Sequence, residues 1–194
     1  MFTGIVEGLG LIRERRGSAL TVKLPPELRG RLTEGASIAL NGVCLTVVAL
    51  GEGIFSADLS VETVSRTALA GLRSGLRVNL ELPVTAQCAL DGHIVLGHVD
   101  TVGRVKALHR EGENWSLIVS YPAEFRRYLA EKGSVAVDGI SLTPYALTGT
   151  TLRCAVIPAT FTGTTLCDRR VGDPVNIEFD ILAKYVEGMI RYAD

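Results

Sequence analysis

An excess of charge of either sign is absent: 20 lysines and arginines stand against 21 aspartates and glutamates in 194 residues, a formal net charge of −1. A protein that grips nucleic acid through a basic face needs clustered cations and a high isoelectric point, so that class is excluded. Long apolar runs are absent too. No stretch approaches the roughly 18 uninterrupted apolar residues of a membrane span, and the start MFTGIVEGLG has neither the basic region nor the apolar core of a signal peptide. No membrane partner is expected, and the expected location is cytoplasmic. The four cysteines, Cys44, Cys88, Cys154 and Cys167, contain no C-x-x-C and lie far apart, which argues against both a zinc site and a disulfide framework. Histidine is scarce. His93 and His98 sit five residues apart in DGHIVLGHVD, a spacing that sends them to opposite faces of a strand, so no metal site is expected.

What is present is the apolar content of a folded chain, 47% hydrophobic and 21% charged, and an internal repeat. GIVEGLG (Gly4 to Gly10) aligns with GHVDTVG (Gly97 to Gly103). EGASIALNGVCLT (Glu34 to Thr46) aligns with EKGSVAVDGISLT (Glu131 to Thr143), and SGLRVNLE (Ser74 to Glu81) with VGDPVNIE (Val171 to Glu178), the last two pairs at an offset of 97 residues. Three blocks in the same order make the chain a tandem duplication, with expected domains at 1–93 and 94–190. Each copy, at about 90 residues, is large enough to fold around its own core.

Within a copy, short alternating or apolar runs are separated by turn residues: SALTVKL, ASIAL, CLTVVAL, GIFSADL and RVNLEL, then WSLIVSY, SVAV, LRCAVI and PVNIEF. Strands of this length and spacing predict an all-β fold, each half a closed six-stranded antiparallel barrel. Short helical stretches are expected around PPELRGRL, VETVSRTAL, PAEFRRYLAEKG and, less favoured because of Gly163 and its threonines, ATFTGTTL. The segment at 181–194 lies outside the repeat and carries Ile181, Leu182, Tyr185, Val186, Met189 and Ile190 at helical spacing. A helix of about a dozen residues must bury that stripe, either on its own barrel or against copies of itself.

The opening MFTGIVEGLG, the blocks NGVCLT and VDGISLT, the segment GHIVLGHVD and the ending VNIEFDILAKYVE together resemble the riboflavin synthase family, whose members are built of two lumazine-binding repeats. The resemblance spans the whole chain. It implies two Greek-key barrels, a C-terminal helix that joins three subunits, and active sites between subunits. It implies a reaction in which two molecules of 6,7-dimethyl-8-ribityllumazine exchange a four-carbon unit, giving riboflavin and 5-amino-6-ribitylaminouracil without an added cofactor. An association with lumazine synthase is left open. The rival reading is a non-catalytic lumazine or flavin binder.

Carried onto this sequence, the resemblance assigns catalytic roles to His98, Ser141, Cys44, Asp138 and Asp180. Each has a plainer alternative. His98 can cap the turn after Gly97, Ser141 and Thr143 can bond to neighbouring backbone, and Cys44 can be a small apolar filler. Asp138 can orient Ser141 or form the turn before Gly139, and Asp180 can cap the last helix. Phe2 is expected to help close the pocket. The resemblance puts Gly4, Ile5, Val6, Leu45, Thr46, Asp58, Leu59, Ser60, Val61, Glu62 and Thr63 around one ligand. It puts Gly97, Val99, Lys132, Leu142, Thr143, Val156, Ile157, Pro158, Ala159, Thr160 and Phe161 around the second. Lys132 is the expected partner of a ribityl chain. Leu96, Pro144 and Gly163 depart from the family's usual residues.

Overall fold

Alternation of apolar and polar residues decides which face of each strand turns inward, and both halves follow it. The computed structural model describes residues 1–191, so the last three positions of the expected terminal helix lie outside the described residues. In the first half β1 (Gly8–Arg16), β2 (Ala19–Lys23), β3 (Ser37–Leu40), β4 (Val43–Gly51), β5 (Ile54–Asp58) and β6 (Arg77–Glu81) close into an antiparallel barrel of order β1-β2-β5-β4-β3-β6. The non-sequential neighbours β2–β5 and β3–β6 make it a Greek key. Ile12, Leu20, Ile38, Phe55 and Leu80 fill its interior. Helix α1 (Val61–Arg66) follows β5, with the Ser60 hydroxyl accepting the Thr63 N–H at 2.9 Å as its N-cap.

The second half repeats this with one difference. Its strands are β7 (Thr101–Glu111), β8 (Asn114–Ser120), β9 (Val135–Val137), β10 (Ile140–Leu142), β11 (Pro144–Leu147), β12 (Thr151–Val156) and β13 (Pro174–Phe179). They form a seven-stranded sheet of order β10-β9-β13-β7-β8-β12-β11. Six strands were expected, and the seventh has a simple origin. In the first half the Val47 N–H donates to Ala36 O at 2.9 Å and Val47 O accepts from Gly35 at 2.9 Å. At the equivalent site Pro144 O accepts from Lys132 at 2.8 Å, but proline has no N–H to return. The counterpart of β4 therefore breaks at Thr143 into β10 and β11, and the sheet curls until its two ends meet through that one residue.

The expected helices form, though two are 3-10 helices, Pro26–Leu28 and Ala123–Tyr128. The disfavoured ATFTGTTL segment does contain a helix, α2 (Pro158–Gly163), anchored by Phe161 stacking on Trp115 at 3.7 Å. Packing there outweighs propensity. Helix α3 (Ile181–Arg191) ends the described chain.

Between the two cores lies a third small cluster, Phe2, Ala39, Val95 and Ala136. Phe2 is fully buried there and pairs with Val95 through two backbone hydrogen bonds of 2.7 and 3.0 Å. Its ring lies between the two halves and cements them together. The halves are also bolted at a pseudo-twofold axis. Asn79 and Asn176 donate across it to the carbonyls of Asp138 and Asn41, at 2.9 and 2.8 Å.

Candidate active site

The segment that opens each half does not stay on its own barrel. Gly4 O accepts the N–H of Ser141, on β10 of the second barrel, at 2.7 Å, and Gly97 O accepts the N–H of Cys44, on β4 of the first, at 2.9 Å. Each segment covers a strand edge that the receiving barrel leaves open. The approach is close enough to demand glycine: a Cβ on Gly4 would lie 2.7 Å from the Ser141 Cβ, and one on Gly97 2.5 Å from that of Cys44. Both residues also hold positive φ, +78° and +81°. Val6 accordingly packs on the second core and Val99 on the first.

This exchange corrects the expected grouping. Gly4, Ile5 and Val6 do not join the first barrel's Thr46 and Asp58; they run beside Ser141 on the second. Gly97, His98 and Val99 run beside Cys44 on the first, so His98 and Ser141 border different candidate sites within one chain.

Beside Gly4, the second barrel presents Ser141, the exposed Thr143, and the β12–α2 corner of Val156, Ile157, Pro158, Ala159, Thr160 and Phe161. Val156 faces the core, whereas Ile157 is 56% exposed. Lys132 is exposed and held at φ +65°, where its counterpart in the first half is Gly35 at +80°. Beside Gly97, the first barrel presents Cys44, the exposed Thr46 and Asp58, and the α1 corner. Val61 is 88% exposed there, Glu62 pairs with Arg66 at 3.3 Å, and Ser60 and Thr63 form the cap. Leu45, Leu142 and Leu59 point into the cores, so only their backbone borders the sites.

Ser141 has a partner that the sequence reading passed over. Its Oγ lies 2.7 Å from Nδ1 of His93, a buried residue whose Nε2 has no hydrogen-bond partner among the described residues. Burial lowers the His93 pKa below its usual value, opposed by the negative charge of Asp180. The ring is therefore neutral at neutral pH. With its hydrogen on Nε2, Nδ1 can accept the Ser141 hydroxyl hydrogen. Around His93 the chain forms no regular strand: the His93 N–H donates to Thr3 O at 3.0 Å, and Val95 forms a single bridge with Phe2.

Asp138 is not that partner; its carboxylate is engaged by Asn176 and Arg169. Its side chain is completely buried, one oxygen accepting the Asn176 N–H at 2.8 Å and the other two Arg169 contacts at 2.6 and 3.1 Å. A carboxylate so enclosed cannot reach a ligand beside Ser141. Asp180 caps α3, accepting the Leu182 N–H at 2.9 Å, while its charge still acts on His93. A cavity of about 580 Å³ opens under the 83–91 linker and is lined on one side by Thr3 and Ile5. No group of three or more metal-ligating side chains assembles among the described residues, and no helix among them is long and apolar enough to cross a membrane.

Two barrels with exchanged edges define a class, and comparison with known proteins bears it out. The Lumazine binding domain family matches the chain twice, over residues 3–83 and 96–180. LumP in complex with riboflavin superposes with a TM-score of 0.86 at 21% identity, covering 92% of this chain and 99% of that one. That likeness speaks for the fold. The riboflavin synthase of Mycobacterium bovis is 45% identical over 100% of both chains, and that of Photobacterium phosphoreum 42% identical over 98% of this chain and 89% of its own. The chain belongs to the riboflavin synthase family.

Proposed function

We propose that this protein binds two molecules of 6,7-dimethyl-8-ribityllumazine and transfers a four-carbon unit between them, releasing riboflavin and 5-amino-6-ribitylaminouracil. The products together contain every atom of the two substrates, so no cofactor or co-reactant enters. The observation that carries this reading is full-length identity of 45% to a riboflavin synthase, with both repeats intact. A dismutation needs two like molecules in different roles. Twin sites with different chemistry, Ser141 with His93 in one and Cys44 beside His98 in the other, fit that requirement.

The chemistry assigned to the residues is modest. The C7 methyl of the lumazine is acidified by the electron-poor ring, and Ser141 relaying its proton to neutral His93 supplies a base matched to it. Backbone amides of the exchanged segments other than those already bound to Glu81 and Glu178 stabilise the anionic ring. Holding the two heterocycles face to face supplies the rest through proximity. Lys132 reaches the ribityl chain. Its left-handed backbone, unusual for a residue with a Cβ, supports a role for which the side chain is needed.

The two sites of one chain border different barrels, so each faces its complement on a neighbour. Three subunits joined through α3, working in the cytoplasm, complete the reading. Helix α3 leaves Leu182, Tyr185, Val186, Met189 and Ile190 between 55% and 73% exposed. The test is direct: purified protein is incubated with 6,7-dimethyl-8-ribityllumazine alone and riboflavin absorbance is followed. Turnover is expected; saturable binding without product would make the protein a carrier.

A further inference from the structure

Each repeat places a glutamate in an otherwise core-facing strand, VNLE in β6 and VNIE in β13. Glu81 and Glu178 are only 5% and 4% exposed. A buried carboxylate is costly unless its oxygens are given donors. Here the donors are backbone. Glu81 Oε1 accepts the Thr3 N–H at 2.6 Å and the Thr3 hydroxyl at 2.8 Å, and Oε2 the Gly4 N–H at 3.0 Å. Glu178 accepts the Leu96 and Gly97 N–H groups at 2.6 and 2.9 Å. The next contact of each clamped segment lies in the opposite barrel: Gly4 on Ser141, and Gly97 on Cys44.

We propose that Glu81 and Glu178 are crossed positioning residues, each rooted in one barrel and setting the substrate-binding edge of the other. Glu81, on the first barrel, holds Thr3 and Gly4 at the reach required by Ser141. Glu178, on the second, holds Leu96 and Gly97 for Cys44. Charge-assisted bonds to two successive amides fix both the height and the tilt of the segment, which one neutral acceptor cannot do. Leu96 stands where Thr3 stands in the first half, so the second clamp lacks the hydroxyl contact and rests on backbone alone. The inference depends on the reading that lumazine binds beside Ser141 and Cys44.

Glu81→Gln and Glu178→Gln keep the volume but turn an amide NH2 toward a backbone N–H. Amide hydrogen exchange in the unliganded protein reads the result residue by residue. Glu81→Gln is expected to speed exchange at Ser141 by at least about tenfold and to leave Cys44 unchanged, with the reverse for Glu178→Gln. With 6,7-dimethyl-8-ribityllumazine added, the indole N–H resonance of Trp115, the sole tryptophan, stacked on Phe161, should titrate at higher ligand concentration in Glu81→Gln only. Acceleration in the mutated residue's own barrel, in both barrels or in neither overturns the inference. Should a glutamine variant fail to fold, Glu81→Asp and Glu178→Asp keep the charge at shorter reach and are held to the same pattern. Wild-type protein that binds no lumazine overturns the functional reading instead, whatever the exchange pattern.

Discussion

The Ser141 hydroxyl and His93 Nδ1 stand 2.7 Å apart, and the ring's other nitrogen is buried with no partner among the described residues. Among the described residues the His93 ring is thus held by one hydrogen bond, to the residue it serves, while the backbone N–H donates to Thr3 O at 3.0 Å. Its pKa is lowered by burial, so the basic form is the one present at neutral pH and is lost as pH falls through that lowered value. Turnover should show an acid limb below pH of about 6.5. Ser141→Ala and His93→Gln are each expected to lower kcat by roughly 10²-fold or more, and the acid limb should disappear in His93→Gln. An unchanged acid limb in that variant would assign the titration to another group. The linkage sign for stability is the same: the neutral buried ring contributes fully above about pH 6.5 and its contribution fades as pH falls, because the unfolded chain binds the proton more readily.

Asp138 yields a prediction of the opposite kind. Its counterpart in the first half is Asn41, and the counterpart of its ion-pair partner Arg169 is Leu72; Asn41 Oδ1 accepts the Asn79 N–H at 2.7 Å just as Asp138 accepts from Asn176. Asp138→Asn alone strands Arg169 and should cost about 2 kcal/mol in urea unfolding, discounted because Arg169 keeps some solvent. Adding Arg169→Leu rebuilds the first half's solution and should recover most of that loss. kcat of the double variant should match wild type, since the carboxylate lies out of reach of the site.

Much of this was legible in the chain. The aligned blocks carried the duplication and alternation carried the strands, but the polar positions of VNLE and VNIE were legible only as a repeated block; the interlock and the clamps they form needed the contacts. The exchange of segments was not legible, because Gly4 beside its own barrel and Gly4 beside the other place the same residue types in the same order. Only the contacts of Ser141 and Cys44 decide between them. His93 was hidden for a related reason: its partner is 48 residues away, and reading its surroundings as a strand directed attention to His98. The break at Pro144 was readable in principle, since a proline opposite Val47 removes a donor that the first half uses.

Lys132 tests whether backbone strain is retained for function. Replacing it by glycine, the residue used at position 35, relieves a left-handed conformation that costs roughly 1–2 kcal/mol, offset by glycine's greater chain entropy. Lys132→Gly should therefore raise Tm slightly, by a few degrees at most. It should also raise KM with little change in kcat if the ammonium binds substrate uniformly through the reaction. A rise in neither Tm nor KM would leave its conformation without either explanation.

Helix α3 lies on its own barrel by its polar side, not by its apolar stripe. Its polar side is tied to its own barrel: Lys184 pairs with Asp100 at 2.7 Å, and Glu187 with Arg127 at 2.8 Å and with the Tyr128 hydroxyl. Docking in this way turns the apolar stripe outward instead of burying it. Tyr185 and Met189, 64% and 73% exposed, lie on that outer side and touch no core cluster. Charges placed there should therefore break assembly without unfolding the barrels. Tyr185→Glu with Met189→Glu is expected to sediment as a monomer with wild-type circular dichroism, to bind lumazine on each barrel, and to lose at least about tenfold in turnover because the facing site is gone. A monomer with wild-type turnover would show that one chain suffices.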